Sequence, residues 1–485
     1  MLQVSAESMD GVADYLLCRT KVPGLALAVV TGERVLFAKG YGYRDLDARL
    51  PMTTDTSYPI ASTTKGINAT LLGILTERSQ LAWDAPVRLY LPRFRLQDRL
   101  ASDAATLRDL VAMRTGLPRH DLVWLENVAT RGELIAALEH LAPSAGFRER
   151  FQYNNLTVTA AAHVAEIVTG RSWEELVQEN ILQPLSMRST CFNRPESGNV
   201  AASYQEDSQR RLTRYRYLDT HLIAPAGGTI HSTISDMARW VSFNLNAGAI
   251  DGQRLLRRET LSELHAPCVV MRGDPAAPSF LAAYGLGWAV DTYKQWTRVS
   301  HGGDLHNVNS CITLFPELNL GIVSFVNMGV WRFARAINQC VFDRIMGITA
   351  GEEMQTAIDG YEQRVEQNIQ RRARLRRTSG TAHSHSLSEY AGVFTHGGYG
   401  SITIACEADA LILVRHKLRV RLEHWHYNSW VIDDDEVFQY YRSHPLERSN
   451  RITFEVDADG HVVAFNMQPE QSVAAVRFMK RGGGN

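Results

Sequence analysis

The sequence predicts an α/β fold: an antiparallel sheet flanked by helices, with a helical subdomain within it, followed by a small C-terminal antiparallel β domain. Three observations predict this. Apolar runs of strand character stand near the N-terminus and again around Ile312, and between them apolar residues recur three and four positions apart. Beyond Leu387 the period changes to alternation, with turn residues roughly every ten positions. The length, 485 residues, also exceeds what one hydrophobic core ordinarily supports.

Near the N-terminus, GLALAVV and RVLFAKGYGY flank the polar turn TGE and read as a hairpin. From Ile67 to Leu182, ATLLGILTER, LRDLVAM, ELIAALEHL and VTAAAHVAEIVTG carry helical spacing, and ISDMARWVSFNLNAG continues it. NSCITLFPELNLGIVSFVNM returns to strands around the turn PELN, and FARAINQCVFDRIMG reads as a closing helix. This order predicts a sheet completed by segments distant in sequence. A charged helix then decays into a Ser-, Thr-, His- and Gly-containing linker, with its arginines read as a solvated face. The expected boundaries are 1–372 for the first domain, 373–386 for the linker and 387–485 for a self-contained β domain that carries no catalytic residue.

Composition narrows the function. The formal net charge of −1 leaves no electrostatic footprint for nucleic acid or an anionic membrane, so a small or peptidic molecule is the expected partner. The opening MLQVSAESMDGVADYLLCRT carries acids where a secretory signal carries lysine and arginine, and no apolar run reaches membrane-spanning length, which predicts a cytoplasmic protein. The six cysteines are far apart with no CxxC spacing and read as reduced, mostly buried thiols.

The chemistry begins in PIASTTKGINATLLGIL. Ser62 and Lys65, at i and i+3, share a helix face, so the amine reaches the hydroxyl without further help from the fold. A serine hydroxyl is a weak nucleophile, so Lys65 must be neutral part of the time, which burial or a nearby cation supplies. The competing reading is a polar helix start followed by a solvated lysine. Of the chain's six lysines only Lys65 has a serine three positions before it.

Two clusters shift the balance: FQYNNLTVTAAAH, with Tyr153 and Asn155, and VSHGGDLHN, with His301, Gly302 and Gly303 just ahead of an expected strand. The order S-x-x-K, Y-x-N, H-x-G resembles the serine β-lactamase and penicillin-binding protein superfamily, nearest the class C type and its esterase, D-aminopeptidase and peptide-releasing relatives. Connecting segments such as LRDLVAMRTGLPRHDL and IAPAGGTIHSTISDMARW resemble the superfamily as well, so the resemblance covers about residues 10–350. The tail, with EYAGVFTHGGYGSITI and LEHWHYNSW, is similar to the lipocalin-like barrel appended to some of these hydrolases.

The resemblance implies a β-lactamase/transpeptidase-like fold and a role for each matching residue. Ser62 is the nucleophile, Lys65 helps deprotonate it and Tyr153 passes the proton to the leaving group. Asn155 hydrogen-bonds the acyl side of the substrate, and the backbone N–H groups of Ser62 and of Asp304, just after Gly303, form the oxyanion hole. His301 departs from the lysine that many relatives carry in a K-T-G motif, which weakens the clamp for a β-lactam or D-alanyl carboxylate and predicts a step in activity between about pH 5 and 8.

Rival signals are weaker. The second HGG, at His396, Gly397 and Gly398, reads as a turn. His383 with His385, and His424 with His426, lack a third ligand and do not make a metal site. There is no G-x-S-x-G, Walker or Rossmann pattern. The expectation is a cofactor-free, metal-free serine hydrolase of the esterase or amidopeptidase type, forming an acyl-enzyme on an ester, thioester or amide. Its alternatives are an acyltransferase or peptide-releasing cyclase, a β-lactamase, and a non-catalytic ligand-binding relative.

Overall fold

Strand β1 (Gly24–Val30) is buried along its whole length, which is why its sequence runs apolar without a break. In the computed structural model, which describes residues 4–482 except 126–128, 208, 216, 218–219, 272–281, 330–331, 349–351, 375–376, 433–450 and 471, it lies inside a nine-stranded antiparallel sheet. Leu25, Leu27 and Val29 face the same core as Met9, Val12 and Leu16 of helix α1 (Ala6–Arg19), whereas Ala26, Ala28 and Val30 face the core of the helical subdomain.

The other strands are β2 (Val35–Asp45), β3 (Leu50–Pro51), β4 (Val269–Met271), β5 (Ala282–Tyr284), β6 (Ala289–Tyr293), β7 (Trp296–Leu305), β8 (Val308–Phe315) and β9 (Leu320–Val326). They are ordered β4-β5-β6-β7-β8-β9-β1-β2-β3. β1 pairs with β9 from Leu25↔Val326 to Val30↔Gly321, so segments distant in sequence do complete the sheet. Residues 301–303, expected just ahead of a strand, lie instead within β7, paired with β8.

Helix α2 (Thr64–Glu77) crosses the centre of the molecule, with every residue from Thr64 to Leu75 buried. A helix apolar all round has nowhere to go but the interior, and Lys65 is carried in with it. Helix α3 (Asn155–Thr169) packs beside it; Asn154 caps its start by accepting from Thr157 N, and Gly170 in the left-handed region ends it. Helix α4 (Ile234–Leu245) covers β1 and β9 on this face, and helix α5 (Phe333–Ile345) covers β8 and β9 on the other. Helix α6 (Glu352–Arg374) is the expected charged helix; the side chains of residues 371–376, most of the arginine run, lie outside the described residues.

The C-terminal strands close an eight-stranded antiparallel barrel. They are β10 (Gly392–His396), β11 (Gly400–Glu407), β12 (Ala410–Arg415), β13 (Leu418–His426), β14 (Ser429–Ile432), β15 (Arg451–Val456), β16 (Val462–Met467) and β17 (Val476–Lys480). Rings fill its interior, with Phe394, Phe454, Phe465 and Phe478 in a run of stacked and edge contacts that Tyr390 and Trp430 extend. The barrel is not an isolated core: its buried side chains are continuous with those of the helical subdomain.

The second HGG is the β10–β11 turn, as expected, but it is not remote from the rest of the chain. A Cβ on Gly397 would stand 2.6 Å from the His140 ring, and one on Gly398 2.4 Å from Leu141, so both glycines let this turn dock on the first domain. All six cysteines are unpaired, but only Cys311 and Cys340 are buried; Cys18 and Cys406 are exposed, against the expectation of mostly buried thiols. Among the described residues, no group of His, Cys, Asp and Glu is arranged to hold a metal ion, and no helix is long and apolar enough to cross a membrane.

Candidate active site

Ser62 lies in a 3-10 turn, Ala61–Thr63, that leads directly into α2. Ala61 holds a left-handed φ of 50°, a strained conformation for a residue with a Cβ, and thereby turns Ser62 out at the head of the helix. Two glycines allow this turn to be packed from behind. A Cβ on Gly227, itself at φ 117°, would stand 2.7 Å from Ser62 N, and one on Gly303 would stand 2.5 Å from Ile60 O. Gly303 therefore carries β7 past the serine, where no other residue fits.

Ser62 does not cap the helix. Its Oγ is met by Lys65 Nζ at 3.1 Å and by the Tyr153 hydroxyl, which donates to it at 2.7 Å. Lys65 is 1% exposed, and burial, then the positive charge of Arg119, pushes its pKa well below the ordinary lysine value, with Asp121 opposing. A neutral amine has two N–H donors and one lone pair. Two carbonyl oxygens, Asn155 Oδ1 at 2.8 Å and Ala226 O at 2.5 Å, take the donors and leave the lone pair for the Ser62 proton. Burial pushes Tyr153 up to about 12, so at neutral pH its hydroxyl keeps its proton and the lysine is the better base.

Asn155, expected from the resemblance to contact the acyl group of the substrate, is buried behind Lys65 with both polar ends engaged: Oδ1 accepts from the lysine and Nδ2 donates to Asp121 Oδ1 at 3.0 Å. Asp121 Oδ1 also accepts from Trp124 Nε1 at 2.8 Å, and its Oδ2 from Arg119 Nε at 2.6 Å. Asp121 thus orients Asn155, and Asn155 orients the lysine.

His301 lies on the cavity wall beside Tyr153, with ring centroids 6.5 Å apart, but both of its nitrogens are engaged. Gly302 O, 2.7 Å from Nδ1, can only accept, so Nδ1 carries the proton and Nε2 accepts from the Tyr284 hydroxyl at 2.9 Å. Burial, then the nearby Lys65, pushes its pKa down to about 3. Held neutral, the ring offers no cation to a carboxylate and favours a different origin for a step between pH 5 and 8 than the one expected from the sequence. Asp304, on the same cavity and pushed up to about 6 by burial, is the group that does titrate there. Above that pH its negative charge acts on Tyr153 and would oppose negative charge developing at Ser62. A downward inflection near 6 in the pH–rate profile is expected to survive His301→Asn and to vanish in Asp304→Asn; its loss in the histidine variant would return the titration to His301.

The cavity over Ser62 has a volume of about 420 Å³. Its positive charge comes from residues outside the motifs, Arg119, Arg332 and Arg335. Neither Arg119 nor Asp121 was singled out in the sequence. Their signal was present in GLPRHDL, read there as connecting text, where an arginine and an acid flank a histidine after a Gly-Leu-Pro turn.

Comparison with known proteins places the chain in a family and a fold. The family model described as Beta-lactamase matches residues 7–339. The chain belongs to the beta-lactamase family. A second model, Domain of unknown function (DUF3471), matches residues 376–480, the span of the barrel. Among relatives of this beta-lactamase family member, Protein flp of Staphylococcus aureus (strain NCTC 8325 / PS 47) is 25% identical over 333 residues, which is 67% of this chain and 63% of flp. The chain therefore spans less than two thirds of that relative's length. Unguisins hydrolase ungD of Aspergillus violaceofuscus (strain CBS 115571) is 26% identical over 425 residues, 80% of this chain and 74% of the relative. The octameric penicillin-binding protein homologue from Pyrococcus abyssi shares the fold over 98% of this chain and all of its own, with a TM-score of 0.63 at 20% identity. The superfamily resemblance read from the three motifs, and the sheet-plus-barrel architecture, are borne out.

Proposed function

We propose that this family member is a serine hydrolase that forms an acyl-enzyme on Ser62 from a small-molecule or peptidic ester, thioester or amide. The convergence of Lys65 Nζ and the Tyr153 hydroxyl on one serine oxygen, with the lysine buried, carries this reading. Lys65 takes the Ser62 proton as Oγ attacks the acyl carbon, and the backbone N–H groups of Ser62 and Asp304 receive the oxyanion. The tetrahedral adduct collapses as Tyr153 gives its proton to the leaving group and recovers one from Lys65. Water then takes the acyl group by the same route in reverse.

Hydrolysis is favoured over transfer to an amine or alcohol because ungD, a relative matched across most of this chain, is described as a hydrolase. The neutral His301 weighs against β-lactams as the physiological substrate. The six unpaired thiols support a cytoplasmic location. Incubation with a panel of acyl esters, thioesters and β-lactams, followed by intact mass and peptide mapping, tests the reading: one acyl adduct on Ser62 is expected, and a panel that leaves the protein unmodified and unhydrolysed overturns it. Tyr153→Phe is expected to lower the rate by about 10²- to 10⁴-fold with the fold intact. Full activity of that variant on several substrates would remove the tyrosine from the mechanism.

A further inference from the structure

The segment that carries Asp121 is held at both ends by the barrel. It begins with His120 in the left-handed region, at φ 52°, and continues as the 3-10 turn Asp121–Val123. Glu470, on the connection between β16 and β17, accepts the backbone N–H groups of Asp121 and Leu122. Arg415, at the end of β12, donates to Val123 O at 3.2 Å and Leu125 O at 2.9 Å. His120 Nε2 donates to Ala142 O at 3.0 Å, so Nδ1 accepts the Tyr399 hydroxyl from the β10–β11 turn at 2.7 Å. Three strand connections or ends of the barrel thus converge on the six residues 120–125.

From this geometry we infer that Glu470 is a positioning residue for the proposed catalytic lysine, acting through Asp121 and Asn155, so that the barrel completes the active site. The inference rests on the acyl-enzyme reading above. The path is short and each step is a hydrogen bond: Glu470 to the Asp121 backbone, Asp121 Oδ1 to Asn155 Nδ2, Asn155 Oδ1 to Lys65 Nζ, and Lys65 to Ser62. Glu470 and Arg415 are 5% and 3% exposed, and burial of polar groups this deep is sustained only where they are satisfied. The Glu470 carboxyl is pushed up by burial and by the Asp121 carboxylate, so it is kept there against an electrostatic cost. Among the described residues of the tail none lines the cavity over Ser62, but cutting near Gly380 removes the clamp on Asp121 and is expected to impair acylation, whereas a self-contained β domain would leave it unchanged.

The test uses the full-length protein, a short-chain p-nitrophenyl ester for kcat and KM, and an alkyl fluorophosphonate for the rate of Ser62 labelling. Loss of the Asp121 anchor by Glu470→Ala is expected to lower kcat and the labelling rate by about ten- to a hundredfold through displacement of the lysine, with KM little changed. Glu470→Gln keeps an oxygen acceptor for the same N–H groups and is expected to restore most of the rate. A folded E470A variant with the wild-type rate, or one whose kcat and KM decline together without rescue by Gln, overturns the inference. Should E470A not fold, Glu470→Asp, which withdraws the acceptor by one methylene, is read in the same way. A wild-type protein that neither turns over the ester nor reacts with the probe overturns the acyl-enzyme reading, and this inference with it; a reactive wild type beside an unaffected variant overturns this inference alone.

Discussion

Replacing Ser62 by alanine is expected to abolish ester turnover and acyl labelling together, while thermal unfolding stays close to that of the wild type. The side chain caps nothing: among the described residues its oxygen hydrogen-bonds with Lys65 and Tyr153, so its removal leaves two hydrogen-bonding groups beside a solvent-accessible cavity and not an orphaned core. Without a nucleophile the remaining groups can still bind and polarise an acyl group, but the covalent route is closed, and residues that act as such a unit lose on the order of 10⁶-fold in kcat when the nucleophile goes. Initial rates and intact mass on one ester measure both effects. An adduct that persists in the alanine variant would place the nucleophile elsewhere.

Lys65→Met is expected to cost nearly as much, about 10⁴-fold or more, because the serine proton then has no acceptor, and a group acting with the nucleophile is as necessary as the nucleophile itself. Its effect on stability should depend on pH, unlike that of an ordinary core substitution. The folded pKa of Lys65 lies below its unfolded value, so the unfolded chain binds a proton that the folded one does not, and stability is lost as pH falls below the unfolded lysine value. Methionine removes that penalty while leaving Asn155 Oδ1 and Ala226 O without a donor, a cost of about 1–3 kcal/mol each. The melting temperature of the methionine variant should therefore gain on the wild type as pH is lowered from 9 to 6. A difference that does not change with pH would mean that Lys65 is charged in the folded protein, which removes the base from the mechanism.

Period and punctuation made much of the architecture legible. The hairpin and the strand pair around PELN lie where unbroken apolar runs beside turn residues placed them, and the central and closing helices where spacings of three and four did, because these signals are local to the segment. The pair Ser62 and Lys65 was legible for the same reason, since three residues along a helix bring two side chains together whatever surrounds them. The roles of Asn155 and His301 were not. Their resemblance to motif positions identified the residues, but whether a side chain faces substrate or protein depends on what packs against it: Asp121 behind the asparagine, Tyr284 and Gly302 O around the histidine.

The sequence by itself determined the elements, the family resemblance and the pairing of Ser62 with Lys65, all of which depend on spacings within short stretches of chain. Only the tertiary structure decided the protonation states and the supports. Burial of α2 and the approach of Arg119 are what lower the Lys65 pKa, and burial of His301 on β7 beside Tyr284 of β5 is what keeps it neutral. The barrel, which alternation predicted as a separate unit, is joined to the site through Glu470, Arg415 and Tyr399, each hundreds of residues from its partner. Desolvation and charge act through distance in space, and a pattern of neighbours along the chain does not contain that distance.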